Sequence, residues 1–303
     1  MTSLASDSQI VLWAPLSPVG GVTRSAQNLA EWLDERQRLA GVVDLGKRWQ
    51  LPLATVRNRR TTQNVFWCST PASVWAHSLL ASPLRGRRTL FLHGGLDDRS
   101  PRRPPRTPRR RFDAVYVTNT ALATLVDDWR LGPPAVLASA HIPRGIAKRT
   151  RHRYDRLLVL VGAIPNWYGL ELAVDAWKHA RREKPDLTLT VLLYGGVDTH
   201  PAVAEVLDAH PEVAVHREVE PADMAQLLDA HDVLLRPGSV DGDSLIVREA
   251  LEAGLRVVAT DSVPRPIGTE VCPPDPLQIA RAIIHGGAPS TGRGLGPSIV
   301  TLL

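Results

Sequence analysis

At 303 residues with a 44% hydrophobic fraction, the chain has material for about two cored domains rather than one. No run of about 18 uncharged apolar residues occurs, so a membrane-spanning helix is not expected, and the two distant cysteines, Cys68 and Cys272, argue against a disulfide framework. The net charge of +5 is carried by arginine, since only four of the 36 basic side chains are lysines, and it points towards anionic partners.

The opening MTSLASDSQIVLWAPL has no basic leader and runs directly into a strand, so the expected location is cytoplasmic. Residues 9–16 form a continuous apolar run, the pattern of a parallel strand covered on both faces. Ser17-Pro18-Val19-Gly20-Gly21 follows, then a helical pattern over 22–36; glycines at such a turn let backbone amides approach a ligand. The spacing is not the dinucleotide fingerprint, which needs a third glycine in the first helical turn. Further strands are expected at 41–45, 64–68, 89–93, 114–118 and 135–139, with helices at 71–81 and 120–129. That alternation is a doubly wound α/β pattern. His93 closes the third of these strands, at the end where such folds carry function, and either contacts a substrate or caps the strand.

The stretch from Arg99 to Arg111 (RSPRRPPRTPRRR) is too rich in proline to be a helix. It is either an exposed solvated loop or a dock for an anionic membrane, and without interleaved aromatic residues it is a poor nucleic-acid site, so no nucleic-acid partner is expected. Residues 140–153 have the look of a linker, dividing the chain at 145/146. Beyond it come strands at 156–163, 187–194 and 213–219, with helices at 169–183, 201–209 and 221–230.

The stretch LLRPGSVDGDSLIVREALEAGLRVVATD then reads as strand, polar loop, helix over 244–252 and strand over 256–260. Ser244 is expected to cap that helix with its hydroxyl. The free amides of the first turn make an anion site there, with Asp241 before the helix and Glu249 about a turn and a half into it. A short strand at 270–271 and a helix at 276–284 follow, and the Gly/Ser-rich tail over 286–296 is expected to be ordered only by docking.

In order along the chain, several of these segments resemble one family. Asp241, seven intervening residues, Glu249 and the following Ala-Leu-Glu-Ala-Gly resemble the Glu-x7-Glu region of retaining GT-B glycosyltransferases, most closely family 4. Gly20-Gly21 is similar to that family's N-terminal glycine loop, Phe91-Leu92-His93-Gly94 to its histidine strand end, and Ile142-Pro143-Arg144-Gly145-Ile146 to its interdomain linker. The segment 160–162, with the helix beyond it, is similar to the opening of its donor domain. The resemblance implies a GT-B fold, two Rossmann-like doubly wound α/β domains facing across a cleft. Residues 1–145 would form the acceptor side and 146–303 the nucleotide-sugar donor side.

The reaction it implies is sugar transfer from a nucleotide-diphosphate sugar to an acceptor with retention of configuration and without a metal. No cofactor is needed beyond the donor substrate, and the acceptor is a saccharide, a lipid-linked group or a small molecule. In that frame Glu249 accepts from the ribose hydroxyls and Asp241 from the sugar. Asp243, Ser244, Leu245 and Ile246 present amides to the diphosphate, together with Gly20, Gly21 and Gly162, and His93 lies near the transferred sugar. Asp241-Gly242-Asp243 also looks like an Asp-x-Asp metal site, but its place before a βαβ helix suits the GT-B reading better.

One departure from the pattern matters. The family normally has Gly-Arg and then Lys-Gly after the first donor-domain strand, whereas this chain has Gly162-Ala163 and then Trp167-Tyr168-Gly169. Two charge-assisted contacts to the diphosphate are thereby lost, worth ~1.5–3 kcal/mol each. Either Arg24, Arg236 or Arg248 supplies the cation, or the chain is a catalytically impaired homologue acting as a partner or regulatory subunit.

Overall fold

A computed structural model describes residues 9–16, 21–47, 50–68, 74, 80–94, 112–143, 154–162, 165–220, 222–292 and 295–303. Gly20, most of the helix expected at 71–81, the Arg99–Arg111 stretch and the linker residues 144–153 lie outside the described residues. The chain divides into two compact units, Met1–Ile142 with Gly294–Leu303, and Pro143–Arg293.

The first unit is built on a parallel sheet of β1 (Ile10–Ala14), β2 (Leu39–Asp44), β3 (Gln63–Cys68), β4 (Arg87–Leu92), β5 (Ala114–Val117) and β6 (Val136–Leu137). Its order is β2-β1-β3-β4-β5-β6. The strands read as unbroken apolar runs because they are covered on both faces; every residue of β1 and β3 is buried. On one face Trp13 stacks on Phe66, with ring centroids 5.3 Å apart, and on the other Trp67 stacks on Phe91 at 4.1 Å. The buried Trp13 indole N–H donates to Asn64 Oδ1 at 3.0 Å, which explains an asparagine inside an apolar strand.

Helix α1 (Gly21–Asp34) covers β1, and α3 (Thr120–Asp128) begins at Asn119, whose side chain accepts from the Leu122 amide at 2.9 Å. Between them lies α2 (Leu51–Arg57), which the sequence pattern does not predict. It is one turn longer than a loop, carries proline in its first turn and buries only Thr55, so it has no periodic apolar stripe to detect.

Among the described residues the second unit has seven strands: β7 (Arg156–Val161), β8 (Thr188–Leu193), β9 (Ala214–Arg217), β10 (Val233–Arg236), β11 (Arg256–Thr260), β12 (Thr269–Cys272) and β13 (Ala288–Pro289). Their order is β13-β12-β11-β10-β7-β8-β9, parallel except for the antiparallel β12–β13 pair. Five helices accompany them, α4 (Leu170–Arg181), α5 (Pro201–Asp208), α6 (Met224–Asp229), α7 (Leu245–Glu252) and α8 (Pro276–His285).

Alternate residues of the central strands feed two cores. Leu157, Val159, Val233 and Leu235 pack with Trp177 on one face, while Leu158, Leu234 and Val257 pack with Ile246 and Val247 of α7 on the other. From β7 the chain winds outward through β8 and β9, then returns to the other side of β7 as β10. The carboxyl ends of β7 and β10 therefore flank a topological switch point, where open α/β sheets bind ligands.

The tail is more ordered than its composition suggests. Residues 288–289 pair with β12, and Ser298 forms a parallel bridge with Ser139 of the first unit. There Ser139 N–H donates to Pro297 O at 2.7 Å, Ile299 N–H to Ser139 O at 2.9 Å, and Ser298 Oγ to His141 O at 2.6 Å. Gly296 lies so close to the Leu137 carbonyl that a Cβ has no room. In contact terms the closing residues thus belong to the first unit.

Candidate functional site

At the switch point of the second unit, two loops lie backbone on backbone. A Cβ on Gly238 would stand 2.5 Å from Trp167 O, and Ser239 N–H donates to that same oxygen at 3.1 Å. Gly169 adopts φ +68°, and a Cβ there would lie 2.8 Å from Pro237 O. Glycine is required at 169 for conformation and at 238 for close approach. Thr260, the last residue of β11, donates its hydroxyl to Gly238 O at 2.8 Å. The loop after β10 is thus pinned between its neighbours before it enters α7.

Charged side chains fill the space this loop encloses. Arg236, the last residue of β10, donates from Nε to Asp241 Oδ2 at 2.9 Å, and Arg265 Nη1 donates to the same oxygen at 2.8 Å. Their side chains are 6% and 2% exposed, and that of Asp241 10%. Burial alone would raise the Asp241 carboxyl, but attraction to Arg236 and then Arg265 overrides it and holds the carboxyl at about 2. Burial also opposes the Arg236 charge, yet Asp241 and Tyr168 outweigh it and raise its pKa. For Arg265 burial wins and its pKa is lowered.

Arg265 spends every nitrogen: Nε donates to Thr260 O, Nη1 to Asp241, and Nη2 to Arg236 O and Gly238 O, each of the backbone contacts at 3.3 Å. Arg236 does not. Its guanidinium carbon lies 4.5 Å over the centre of the Tyr168 ring, while its Nη1 is buried with no hydrogen-bond partner. Tyr168 in turn lies against Gly162 at the end of β7, where a Cβ would meet its hydroxyl at 2.6 Å.

The remaining residues picked out by sequence in this unit fall around α7. Ser244 is its N-cap residue, as expected, but its side chain makes no capping bond. The expected hydroxyl cap is therefore corrected to a backbone cap, with Arg248 N–H reaching Ser244 O at 3.3 Å. Leu245 and Ile246 open the helix and are buried; Glu249 is buried in its second turn at 2% exposure. Asp243 accepts from Arg248 Nε at 2.6 Å, its carboxylate 1% exposed. The two carboxylates of Asp241-Gly242-Asp243 are thus each engaged by arginine, and no group of three or more His, Cys, Asp or Glu among the described residues could hold a metal ion.

In the first unit the carboxyl ends of β3 and β4 carry a neutral network. Trp67 Nε1–H donates to Ser25 Oγ at 3.0 Å, Ser25 Oγ donates to Val22 O at 2.8 Å, and His93 Nδ1 lies 3.3 Å from the same hydroxyl. A hydroxyl has one proton, and where the shorter contact, to Val22 O, takes it, His93 Nδ1 meets that oxygen as a donor. Gly94, next along the chain, has its carbonyl held by Asn119 Nδ2 at 3.0 Å. Gly21 is the first residue of α1 and Arg24 stands in its first turn.

Set against these two sites, known proteins agree on the architecture. Residues 155–285 match the family model described as Glycosyl transferases group 1. This segment is similar to the group 1 glycosyltransferases. It takes in β7 to β12 and α4 to α8, and with them Arg236, Asp241, Glu249 and Arg265.

Solved structures extend the likeness to the whole chain. HepE of Anabaena, crystallised with UDP, superposes with a TM-score of 0.64 at 13% identity, over 91% of this chain and 89% of its own. The lipopolysaccharide outer core galactosyltransferase WaaB, in its apo form, gives 0.54 at 12% identity, over 91% and 90%. The pneumococcal O-GlcNAc transferase GtfA, with UDP and GlcNAc, gives 0.56 at 15%, over 78% of this chain but 52% of its own. At such identities the likeness fixes the fold, which is that of the GT-B glycosyltransferases. No curated protein matches the chain in sequence.

Three participants escaped the sequence. Arg265 sits in a Val-Pro-Arg-Pro loop with no periodicity, and only its place after a central strand could have flagged it. Tyr168 read as an ordinary loop aromatic. Ser25 had a signal: Thr23, Ser25 and Asn28 are all buried, and polar residues on a helix's inward face need partners.

Proposed function

We propose that the chain is a glycosyltransferase that takes a sugar from a nucleotide-diphosphate donor held by the second unit and passes it to an acceptor held by the first. The observation that carries this reading is the switch point between β7 and β10, where Gly162, the open first turn of α7 and a buried arginine cluster converge. Several free amides and the helix dipole favour an anion there, and glycines let its oxygens approach the backbone. Glu249, behind that turn, is the group for the ribose diol.

Asp241 carries a different role from sugar binding. Its oxygen already accepts from two guanidiniums, so it is assigned to holding them. Transfer proceeds with retention and without a metal, the leaving diphosphate being stabilised by protein donors alone. His93, at the carboxyl end of β4, lies near the transferred sugar. The chain acts in the cytoplasm. Contact with an anionic membrane through Arg99–Arg111 fits a lipid-linked acceptor, and liposome sedimentation unchanged after those arginines are neutralised would rule it out.

The test is calorimetry and product analysis with UDP, GDP and their sugars, with and without EDTA. Nucleotide binding and EDTA-resistant transfer, with the anomeric configuration kept, are expected; a folded chain that binds none of them refutes the reading. The loss of both cations from the 162–169 loop favours a second reading, a non-catalytic partner subunit. Measured glycosyl transfer by the isolated chain excludes it.

A further inference from the structure

The sequence leaves the donor-side phosphate cation unassigned, with Arg24, Arg236 and Arg248 as candidates. We infer that Arg236 is that cation, that Asp241 and Arg265 are its positioning residues, and that Tyr168 is the surface on which it waits. This rests on the donor-site reading above.

Arg24 belongs to the first unit, and burial and saturation separate the arginines of the second. Arg248 gives Nε to a carboxylate of its own, Asp243, at 2.6 Å, and at 20% exposure it meets solvent rather than the enclosed cluster. Arg265 has all three nitrogens engaged, three of its four contacts being to backbone carbonyls, so it is part of the frame. Arg236 alone in the cluster keeps a buried nitrogen, Nη1, with no partner. A buried guanidinium N–H without an acceptor is costly, and such a vacancy in a native site asks for an explanation. An anion that arrives with the substrate supplies one.

Charge agrees with saturation. Arg236 and Arg265 against Asp241 leave one positive charge in the cluster, while Arg248 and Asp243 cancel. The surplus stands at the carboxyl end of β10, one loop before the first turn of α7, so cation and helix amides address the same anion.

Position agrees as well. The Tyr168 ring lies 4.5 Å under the guanidinium and touches Gly162, so the cation is led across from β10 to the end of β7. Tyr168 offers the guanidinium a ring face and a hydroxyl rather than a charge, so phosphate oxygens at Nη1 do not compete with an ion pair there.

The experiment is calorimetric titration of the full chain with UDP, GDP, ADP and TDP, each beside its nucleoside, for the native protein and for Arg236→Gln, Arg236→Lys and Arg265→Gln. The native protein is expected to bind one diphosphate more tightly than its nucleoside. Arg236→Gln removes about 10- to 100-fold of diphosphate affinity, the range for one charged hydrogen bond, and leaves the nucleoside within about two-fold. Arg236→Lys, which keeps the charge against Asp241, restores part of the loss and decides the matter if the glutamine variant does not fold. Arg265→Gln is expected to fall between them.

A diphosphate preference that survives both Arg236 variants overturns this assignment and leaves the donor-site reading standing. A native chain that binds neither nucleosides nor diphosphates overturns the donor-site reading and this assignment with it.

Discussion

The two units solve the same architectural problem and finish it with opposite chemistry. Each is a mainly parallel sheet whose strand order reverses beside its first strand, and each gathers polar side chains at strand carboxyl ends. In the first unit those groups are neutral: an indole, a hydroxyl and an imidazole share one network. In the second they are ionic, two guanidiniums on one carboxylate. A shared fold therefore does not dictate a shared ligand. The neutral end suits a hydroxylic acceptor and the ionic end a phosphorylated donor, and the contrast can be broken by mutation.

The largest effect is expected at Asp241. Asp241→Leu leaves two buried arginines without their anion and should cost about 3–5 kcal/mol, read by urea unfolding. Its titration sharpens the point. The folded-state pKa, about 2, lies below the ordinary 3.8, so the stabilisation is fully present above the higher value and is lost as pH falls through the lower. That difference corresponds to about 2 kcal/mol at one pKa unit per ~1.4 kcal/mol. The fall in stability between pH 4 and 2 should accordingly be shallower in Asp241→Asn, which no longer has this carboxyl to protonate; an unchanged slope would disprove the linkage.

In the neutral network the penalty is smaller. Ser25→Ala removes the partner of Trp67 and of His93 together and should cost about 1–3 kcal/mol. Nucleotide binding, proposed for the other unit, should stay within about two-fold by calorimetry while transfer falls. A variant that lost nucleotide affinity in proportion would erase the proposed division of labour.

Backbone closeness sorts glycines into tight and open positions, and each unit holds tight ones, Gly86 and Gly296 in the first and Gly238 in the second. Gly238→Ala forces a Cβ against Trp167 O and is expected to cost on the order of 1–3 kcal/mol. Gly41→Ala on edge strand β2 meets nothing within 4 Å and should be neutral within about 0.5 kcal/mol. Paired thermal melts of the two variants check this.

The smallest effect is expected at Ser244→Ala. Because that hydroxyl makes no capping bond, the loss should be under about 0.5 kcal/mol, where a working cap is worth about 1. A loss above 1 kcal/mol would mean that the hydroxyl caps the helix in solution.

Much of this was legible in the residues, and for a physical reason. Strands covered on both faces must be apolar throughout, so β1, β3, β7, β8, β10 and β11 announced themselves within a residue or two. The loop-helix stretch from Asp241 to Glu249 was visible because its glycines, acids and helix phase occur together. What stayed hidden was pairing across the sequence. Nothing in the spacing says that Arg265, 24 residues on, returns to Asp241, or that Tyr168 lies under Arg236. Short elements without a buried stripe, such as α2 and β13, left no periodic trace either.

The docked tail has a consequence for how the molecule comes apart. Residues 143–293 form one continuous body, whereas the body before them is discontinuous and takes in 294–303 as well. Removing residues 295–303 strips the Ser298 bridge from Ser139, so it should weaken the discontinuous body and leave the body of 143–293 unchanged.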